Sequence, residues 1–159
     1  MIDIIVADYQ KPEHQQAIIT LLDDYAQDPM GGGKPLDSEV KEQLIPAMIA
    51  QPGALSILAF DGRKPVGLIN CFQTLSTFRA KPLLNIHDVT VDTAYRGQHI
   101  STQMLKKIEE IARQRGCCKL TLEVLEGNQV AKNAYAKCGF SGYELDPVMG
   151  KALFWEKKL

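Results

Sequence analysis

Six consecutive residues, Arg96-Gly97-Gln98-His99-Ile100-Ser101, have types and an order that suit a definite chemistry. They join an apolar run to an amphipathic one, so the first backbone N–H groups of the helix that follows lack acceptors inside it and face out of the loop. The positive end of the helix dipole adds to that preference for negative charge, and a phosphate or pyrophosphate is the natural guest. Other chemistries lack their residues. The histidines are His14, His87 and His99, none at metal-ligand spacing, and no cysteine has a histidine and an acid in a matching pattern, so no metal and no covalent nucleophile is expected. Gly33-Lys34 resembles the end of a P-loop, but Pro35 stands where Ser or Thr is required and position 28 is Asp28 rather than glycine.

Two elements must position that loop. Leu84 to Val91 mixes apolar and β-branched residues with Asn85, His87 and Asp88, the composition of a short, mostly buried central strand. In a regular strand His87 and Asp88 point to opposite faces, so only one of them faces a given cleft. After the loop, Ile100, Met104, Leu105, Ile108, Ile111 and Ala112 form one stripe at helical spacing, with Lys106, Lys107, Glu109, Glu110 and Arg113 opposite. An amphipathic helix ending at Gly116 follows.

The chain of 159 residues is long enough to bury a core, and it reads as one domain over residues 1–159. Hydrophobic content of 45% with 23% charged residues agrees with a globular protein. A net charge of −1 and a pI near 6.3 supply no basic surplus, which argues against a nucleic acid or a membrane surface as partner. Cys71, Cys117, Cys118 and Cys138 show no CxxC spacing, and the adjacent pair would alternate across a strand; they read as reduced core thiols. No basic start precedes an apolar run, and no stretch of about 18 apolar residues occurs, so the cytoplasm is the expected location.

Taken in order, Ile2, Ile4, Ile5 and Val6 open with a strand, and Ala17, Ile18, Leu21, Leu22 and Tyr25 predict a helix from Pro12 to Gln27. Asp28 to Pro35, with Gly31-Gly32-Gly33, is an irregular, mobile loop, either a connector or a segment that closes over an acceptor. Leu36 to Gln51 predicts a second helix capped by Asp37 or Ser38, with Pro46 kinking or shortening it. Leu55 to Phe60 and Val66 to Phe72 flank Asp61-Gly62 as a β-hairpin, and Gln73 to Pro82 reads as a loop. Lys119 to Val124 is a further strand, a short helix runs from Gly127-Asn128 to Cys138, and Tyr143 to Leu145 and Ala152 to Trp155 supply the last strands. No repeat, low-complexity tract or linker divides the chain.

At this point a family pattern is visible. Val91-Asp92-Thr93-Ala94-Tyr95-Arg96-Gly97-Gln98-His99-Ile100-Ser101 with its helix resembles the coenzyme A loop of the GCN5-related N-acetyltransferases, written Q/R-x-x-G-x-G/A. Leu122-Glu123-Val124 with Asn128, Ala131, Asn133, Tyr135, Lys137, Gly139 and Phe140 resembles the same family's second coenzyme motif. The resemblance extends over the chain and implies an α+β fold, with a mixed, mostly antiparallel twisted sheet of about six to seven strands flanked by about four helices. Two positions depart from the pattern: His99 stands where the family has a loop glycine, and Ser101 where it has Gly or Ala. Serine still permits close packing, and His99 is expected to keep an αR or bridge conformation, since histidine tolerates positive φ less well than glycine.

The resemblance implies transfer of an acetyl group from acetyl-coenzyme A to a primary amine of a small molecule or peptide, by direct attack in a ternary complex. It places the cofactor arm on the backbone of Val89, Thr90 and Val91 and its phosphates at Arg96, Gly97, Gln98, His99, Ile100 and Ser101, with Asn128 and Tyr135 adding contacts. Asn128 and Tyr135 are seven apart on a predicted helix, hence on one face. A phenol of ordinary pKa about 10 can protonate a thiolate of pKa about 8.5, which suits Tyr135 as general acid. A base must take the proton of an alkylammonium, and Glu123, Asp88 and His87 are the candidates, Glu123 first and Asp88 second. The family is often dimeric through its last strands, which leaves a homodimer open. The competing reading, motivated by His99, is a non-catalytic acyl-coenzyme A binding or sensor module; Tyr135 and Asn128 weigh against it.

Overall fold

Alternating apolar residues on either side of Asp61-Gly62 fold the middle of the chain into a long hairpin, and the remaining strands add to it on both edges. The computed structural model describes residues 1–159, which form two compact units, Met1–Leu122 and Glu123–Leu159. The first holds β1 (Ile2–Val6), α1 (Pro12–Gln27), α2 (Ser38–Ala50), β2 (Ala54–Asp61), β3 (Lys64–Ser76), β4 (Lys81–Val91), α3 (Ile100–Gln114) and β5 (Leu120–Leu122). The strands make one sheet in the order β1-β2-β3-β4-β5, antiparallel except for the parallel pair β4–β5.

Each face of the sheet is covered by its own helices. Ala17, Ile18 and Leu21 of α1 and Ile45 of α2 bury against Leu58 and Leu68 on one face; each of the leucines and isoleucines contributes roughly 1.5–3 kcal/mol on leaving water. On the other face α3 lays down the predicted stripe, with Ile100, Met104, Leu105, Ile108 and Ala112 buried. The helix sits so close that a Cβ added at Gly67 would lie 2.9 Å from the Met104 terminal methyl. Pro46 lies inside α2 without ending it, and Asp37 occupies the cap position without a side-chain capping bond.

The hairpin is longer than its pattern suggests. Residues 73–76 and 81–82, read as loop, extend β3 and β4, whose ladder runs from Gly67↔Val91 to Ser76↔Lys81. That ladder contains one irregularity: Asn70 pairs with Asp88 and Cys71 with Ile86, which leaves His87 as an extra residue on β4. The expectation that His87 and Asp88 face opposite ways is therefore wrong. Asn70 donates to Asp88 (2.9 Å), and Phe72, two residues along regular β3 and so on the same face, meets the His87 ring edge-on at 5.5 Å. Both polar residues lie on the α1–α2 face.

The second unit contains α4 (Gln129–Lys137), a 3-10 turn at Pro147–Met149 and a single bridge, Glu144↔Lys151. The sheet thus has five strands rather than six or seven. Residues 143–145 and 152–155 do not form ladder strands, and Leu145, Leu153, Phe154 and Trp155 stay exposed. The expected strand over 119–124 shortens to Leu120–Leu122, so Glu123 lies beyond its end, exposed. Of the four cysteines only Cys71 is buried; Cys118 is exposed, and the adjacent pair lies in the turn after α3 instead of in a strand.

Candidate functional site

The loop between β4 and α3 has the shape its sequence suggested, by a different conformation at one residue. Gly97 takes φ 80°, and His99, the helix cap, takes φ 60°, ψ 20°. The αR or bridge expectation for His99 is overturned: the turn into α3 demands a left-handed residue, and histidine is among the few non-glycine types enriched there. The His99 side chain makes no capping bond, and the first helical bond runs from Gln103 N–H to the His99 carbonyl (3.1 Å). The amides of Ile100, Ser101 and Thr102 precede that bond and have no acceptor within the helix. Gln98 and His99 are exposed beside them, and Ser101 is half-buried.

A brace from the β2–β3 turn holds the approach to this loop. Asp92 accepts from Ala94 N–H (2.9 Å) and pairs with Lys64 (2.9 Å), capping a 3-10 turn at Thr93–Tyr95. The Lys64 ammonium and that amide hold the Asp92 carboxyl below the usual carboxylate range, and Lys64 is raised in return. Lys64 also lies 4.9 Å above the Tyr95 ring, whose hydroxyl donates to Asp61 (3.2 Å). The loop is built on the rigid end of the sheet.

Just before it, β4 is paired on only one side. Strand β5 reaches Leu84, Asn85 and Ile86 and goes no further, so from His87 to Val91 the only ladder is with β3. Alternate backbone groups of Val89, Thr90 and Val91 point to that open edge. The bulge at His87 lies where the double pairing stops. Thr90 is buried, and Val89 and Val91 are half-buried.

The Arg96 guanidinium is engaged with two groups of the chain itself. Its Nη2 donates to Asp28 (3.1 Å) and its Nε to the Val91 carbonyl (3.3 Å). Asp28 stands at the end of α1 and opens the glycine segment, which is tied down: Gly31 and Gly33 N–H donate to the Asp28 carbonyl (2.8 and 3.1 Å), and Lys34 N–H to the Ala26 carbonyl (3.1 Å). The amide of Met30 and the Arg96 guanidinium hold the Asp28 carboxyl below its ordinary range.

Asp88 is the one acid–base candidate of the first unit that sits in a hydrogen-bonded row. Tyr9, Ser56, Asn70 and Asp88 follow one another across the sheet at 2.9, 2.6 and 2.9 Å. Burial, and then the negative charges of Asp88 and Asp28, push the Tyr25 hydroxyl up. Sequence reasoning passed over Ser56 and Asn70, although each is a lone polar residue inside an apolar run. It also passed over the bulge, whose signal is the spacing of three between Ile86 and Val89 in the series Leu84, Ile86, Val89, Val91.

In the second unit Asn128 caps α4, its Oδ1 accepting from Ala131 N–H (3.1 Å). Tyr135 is half-buried on α4, and its ring meets Phe140 at 6.1 Å, edge to face. Glu123 is exposed at the start of this unit. No group of three or more His, Cys, Asp or Glu could hold a metal ion, and no helix is long and apolar enough to cross a membrane.

Comparison with known proteins bears on the family and the fold. The model of the acetyltransferase (GNAT) family matches residues 16–140. A thialysine N-epsilon-acetyltransferase of Bos taurus is 36% identical over 68 residues, 43% of this chain and 39% of that protein. A probable glucosamine 6-phosphate N-acetyltransferase of Oryza sativa subsp. japonica is 36% identical over 56 residues, 35% of this chain and 32% of that protein. The match therefore spans about two fifths of the first relative's length and about a third of the second's. Among solved structures, a possible acetyltransferase from Clostridium difficile 630 superposes with a TM-score of 0.78 at 22% identity, covering 100% of this chain and 98% of that one. At that identity the likeness is one of fold.

Proposed function

This chain belongs to the GNAT family of acetyltransferases, and on that premise we propose that it transfers an acetyl group from acetyl-coenzyme A to a primary amine of a small molecule or peptide. The observation that carries the proposal is the pairing of two features at one end of β4. An open strand edge runs from His87 to Val91, and a loop with left-handed residues at Gly97 and His99 leads directly to free helix amides. An extended amide-containing arm can add to such an edge as a strand would, and a diphosphate suits such a helix start. Val89, Thr90 and Val91 would receive the arm through their backbone. Arg96, Gly97, Gln98, His99, Ile100 and Ser101 would receive the phosphates, with Asn128 and Tyr135 contributing from α4. His99 keeps the left-handed backbone that a glycine would supply, which supports a working loop over the sensor reading.

In the proposed reaction the amine nitrogen attacks the thioester carbonyl, a C–N bond forms, and the C–S bond breaks as the tetrahedral oxyanion collapses. A backbone N–H on the β4 edge donates to the oxyanion, Tyr135 protonates the departing thiolate, and a carboxylate takes the ammonium proton. Asp88 is the better supported base, because it is half-buried next to the open β4 edge whereas Glu123 lies exposed past the end of β5. The names of the two relatives, thialysine and glucosamine 6-phosphate transferases, support a small amine as acceptor.

Calorimetric titration with acetyl-coenzyme A tests the cofactor. Micromolar binding, about −8 kcal/mol, is expected, and no binding would overturn the proposal. Tyr135→Phe should lower kcat about a hundredfold with little change in KM for acetyl-coenzyme A; an undiminished kcat would remove Tyr135 from the acid role.

A further inference from the structure

A hydrogen-bonded polar row crosses the α1–α2 face of the sheet. Ser56 on β2 is fully buried (0%) and Asn70 on β3 nearly so (2%), while their neighbours Leu58 and Leu68 on the same face fill the core with hydrocarbon. Burying a hydroxyl and an amide costs free energy unless each is bonded. Here each is bonded, and no buried side-chain polar atom is left unpartnered.

The donor inventory gives the row a direction. Ser56 has one hydroxyl proton, and it goes to Asn70 Oδ1 (2.6 Å). The contact between Tyr9 and Ser56 (2.9 Å) must then be donated by the Tyr9 hydroxyl. With its carbonyl occupied by Ser56, the Asn70 amide turns its Nδ2 outward and donates to Asp88 Oδ2 (2.9 Å). Every proton in the row points toward Asp88, and the row ends on a carboxylate oxygen that receives without giving.

The last member is placed by the bulge. Asp88 pairs with Asn70 directly across the ladder because His87 is an extra residue; were His87 paired in register, Asp88 would face α3. The neighbourhood is suited to a cation. The charge of Asp88 reaches the Tyr25 hydroxyl of α1, and the His87 and Phe72 rings stand alongside on the same face.

We infer that Asn70, oriented by Ser56 and Tyr9, is a positioning residue that holds the Asp88 carboxylate in one orientation for a protonated alkylamine acceptor. The inference rests on the proposed acetyl transfer and on Asp88 as the group that meets the amine. It names the acceptor's chemistry, an aliphatic ammonium, and three residues that set how well it is handled.

The test uses Asn70→Leu, together with the double variant Ser56→Ala/Asn70→Leu, which removes the two fully buried polar side chains of the row together, and Tyr9→Phe at the far end of the row. Folding is checked by thermal unfolding. Rates are measured with an alkylamine, protonated near neutral pH, and with an arylamine, neutral there; acetyl-coenzyme A affinity is measured by calorimetry. In the Asn70 variants kcat/KM for the alkylamine should fall about tenfold or more, while acetyl-coenzyme A affinity stays within about threefold and any arylamine rate is spared to the same degree. Tyr9→Phe should show a smaller loss of the same kind. Folded variants that keep the alkylamine rate would overturn the inference, and so would an equal loss with both amines or a parallel loss of acetyl-coenzyme A binding. A wild-type protein that binds acetyl-coenzyme A yet acetylates neither amine would overturn the proposed function itself, and the inference with it.

Discussion

His99 shows how a residue can break a motif's letter and keep its geometry. The pattern at Arg96 and Gly97 was legible because glycine's freedom at positive φ is a property of the residue type. The backbone of His99 was not legible, because a left-handed histidine is held there by what comes after it, the docked N-terminus of α3 with Ile100 buried. Holding a non-glycine residue in that region costs about 1 kcal/mol, and packing of the helix absorbs it. His99→Gly should therefore leave the Kd for acetyl-coenzyme A within about threefold, since glycine adopts the same angles freely. A tenfold weakening measured by calorimetry would instead assign the imidazole a direct part in binding. Glu123 illustrates the opposite error. Its apolar neighbours Leu122 and Val124 suggested a strand position, but β5 ends at Leu122 and Val124 is 40% exposed.

Periodicity carried the helices and the hairpin, because amphipathic stripes such as Ile100 to Ala112 leave the chain few ways to bury themselves. The two C-terminal strands failed because a strand needs a neighbour's backbone, and β-propensity at Phe154 or Trp155 does not say whether one is within reach. The segment between α1 and α2 failed in another way. Three glycines suggested mobility, whereas the connection is pinned at both ends. Asp23 accepts from Leu36 N–H (2.8 Å) and from the Lys41 ammonium (2.7 Å), tying the entry of α2 back to α1. Lys41, and then the Leu36 amide, lower the Asp23 pKa below its ordinary 3.8. A depressed folded pKa means the stabilisation is fully present above 3.8 and fades as pH falls below it through the folded value. Asp23→Ala should cost about 1 kcal/mol at pH 7, discounted for partial exposure of the pair. The deficit should shrink when thermal unfolding is repeated near pH 3; a pH-independent deficit would place the effect elsewhere.

At the scale of the whole molecule, composition correctly suggested a chain able to bury a core, and counting cysteines misjudged where the thiols sit. Cys71 is fully buried on the α3 face, and burial, reinforced by Asp88, pushes its thiol up to about 12. Cys118 is exposed. Alkylation at pH 8, followed by mass spectrometry, should modify Cys118 within the native protein and Cys71 last, at a rate that follows global unfolding in denaturant. Rapid labelling of native Cys71 would contradict its place in the core. The extra residue on β4 has a consequence for how this chain can change over time. Upstream of His87 the α3 face is written in one reading frame, Leu84 and Ile86; downstream it is written in the other, Val89 and Val91. Deletion of that one residue would merge the two frames: Ile86, Asp88, Val89, Thr90 and Val91 would then alternate regularly, the valines still toward α3 and Asp88 and Thr90 still toward α1. The bulge is thus the point at which the strand can change its length by one residue without reversing a face.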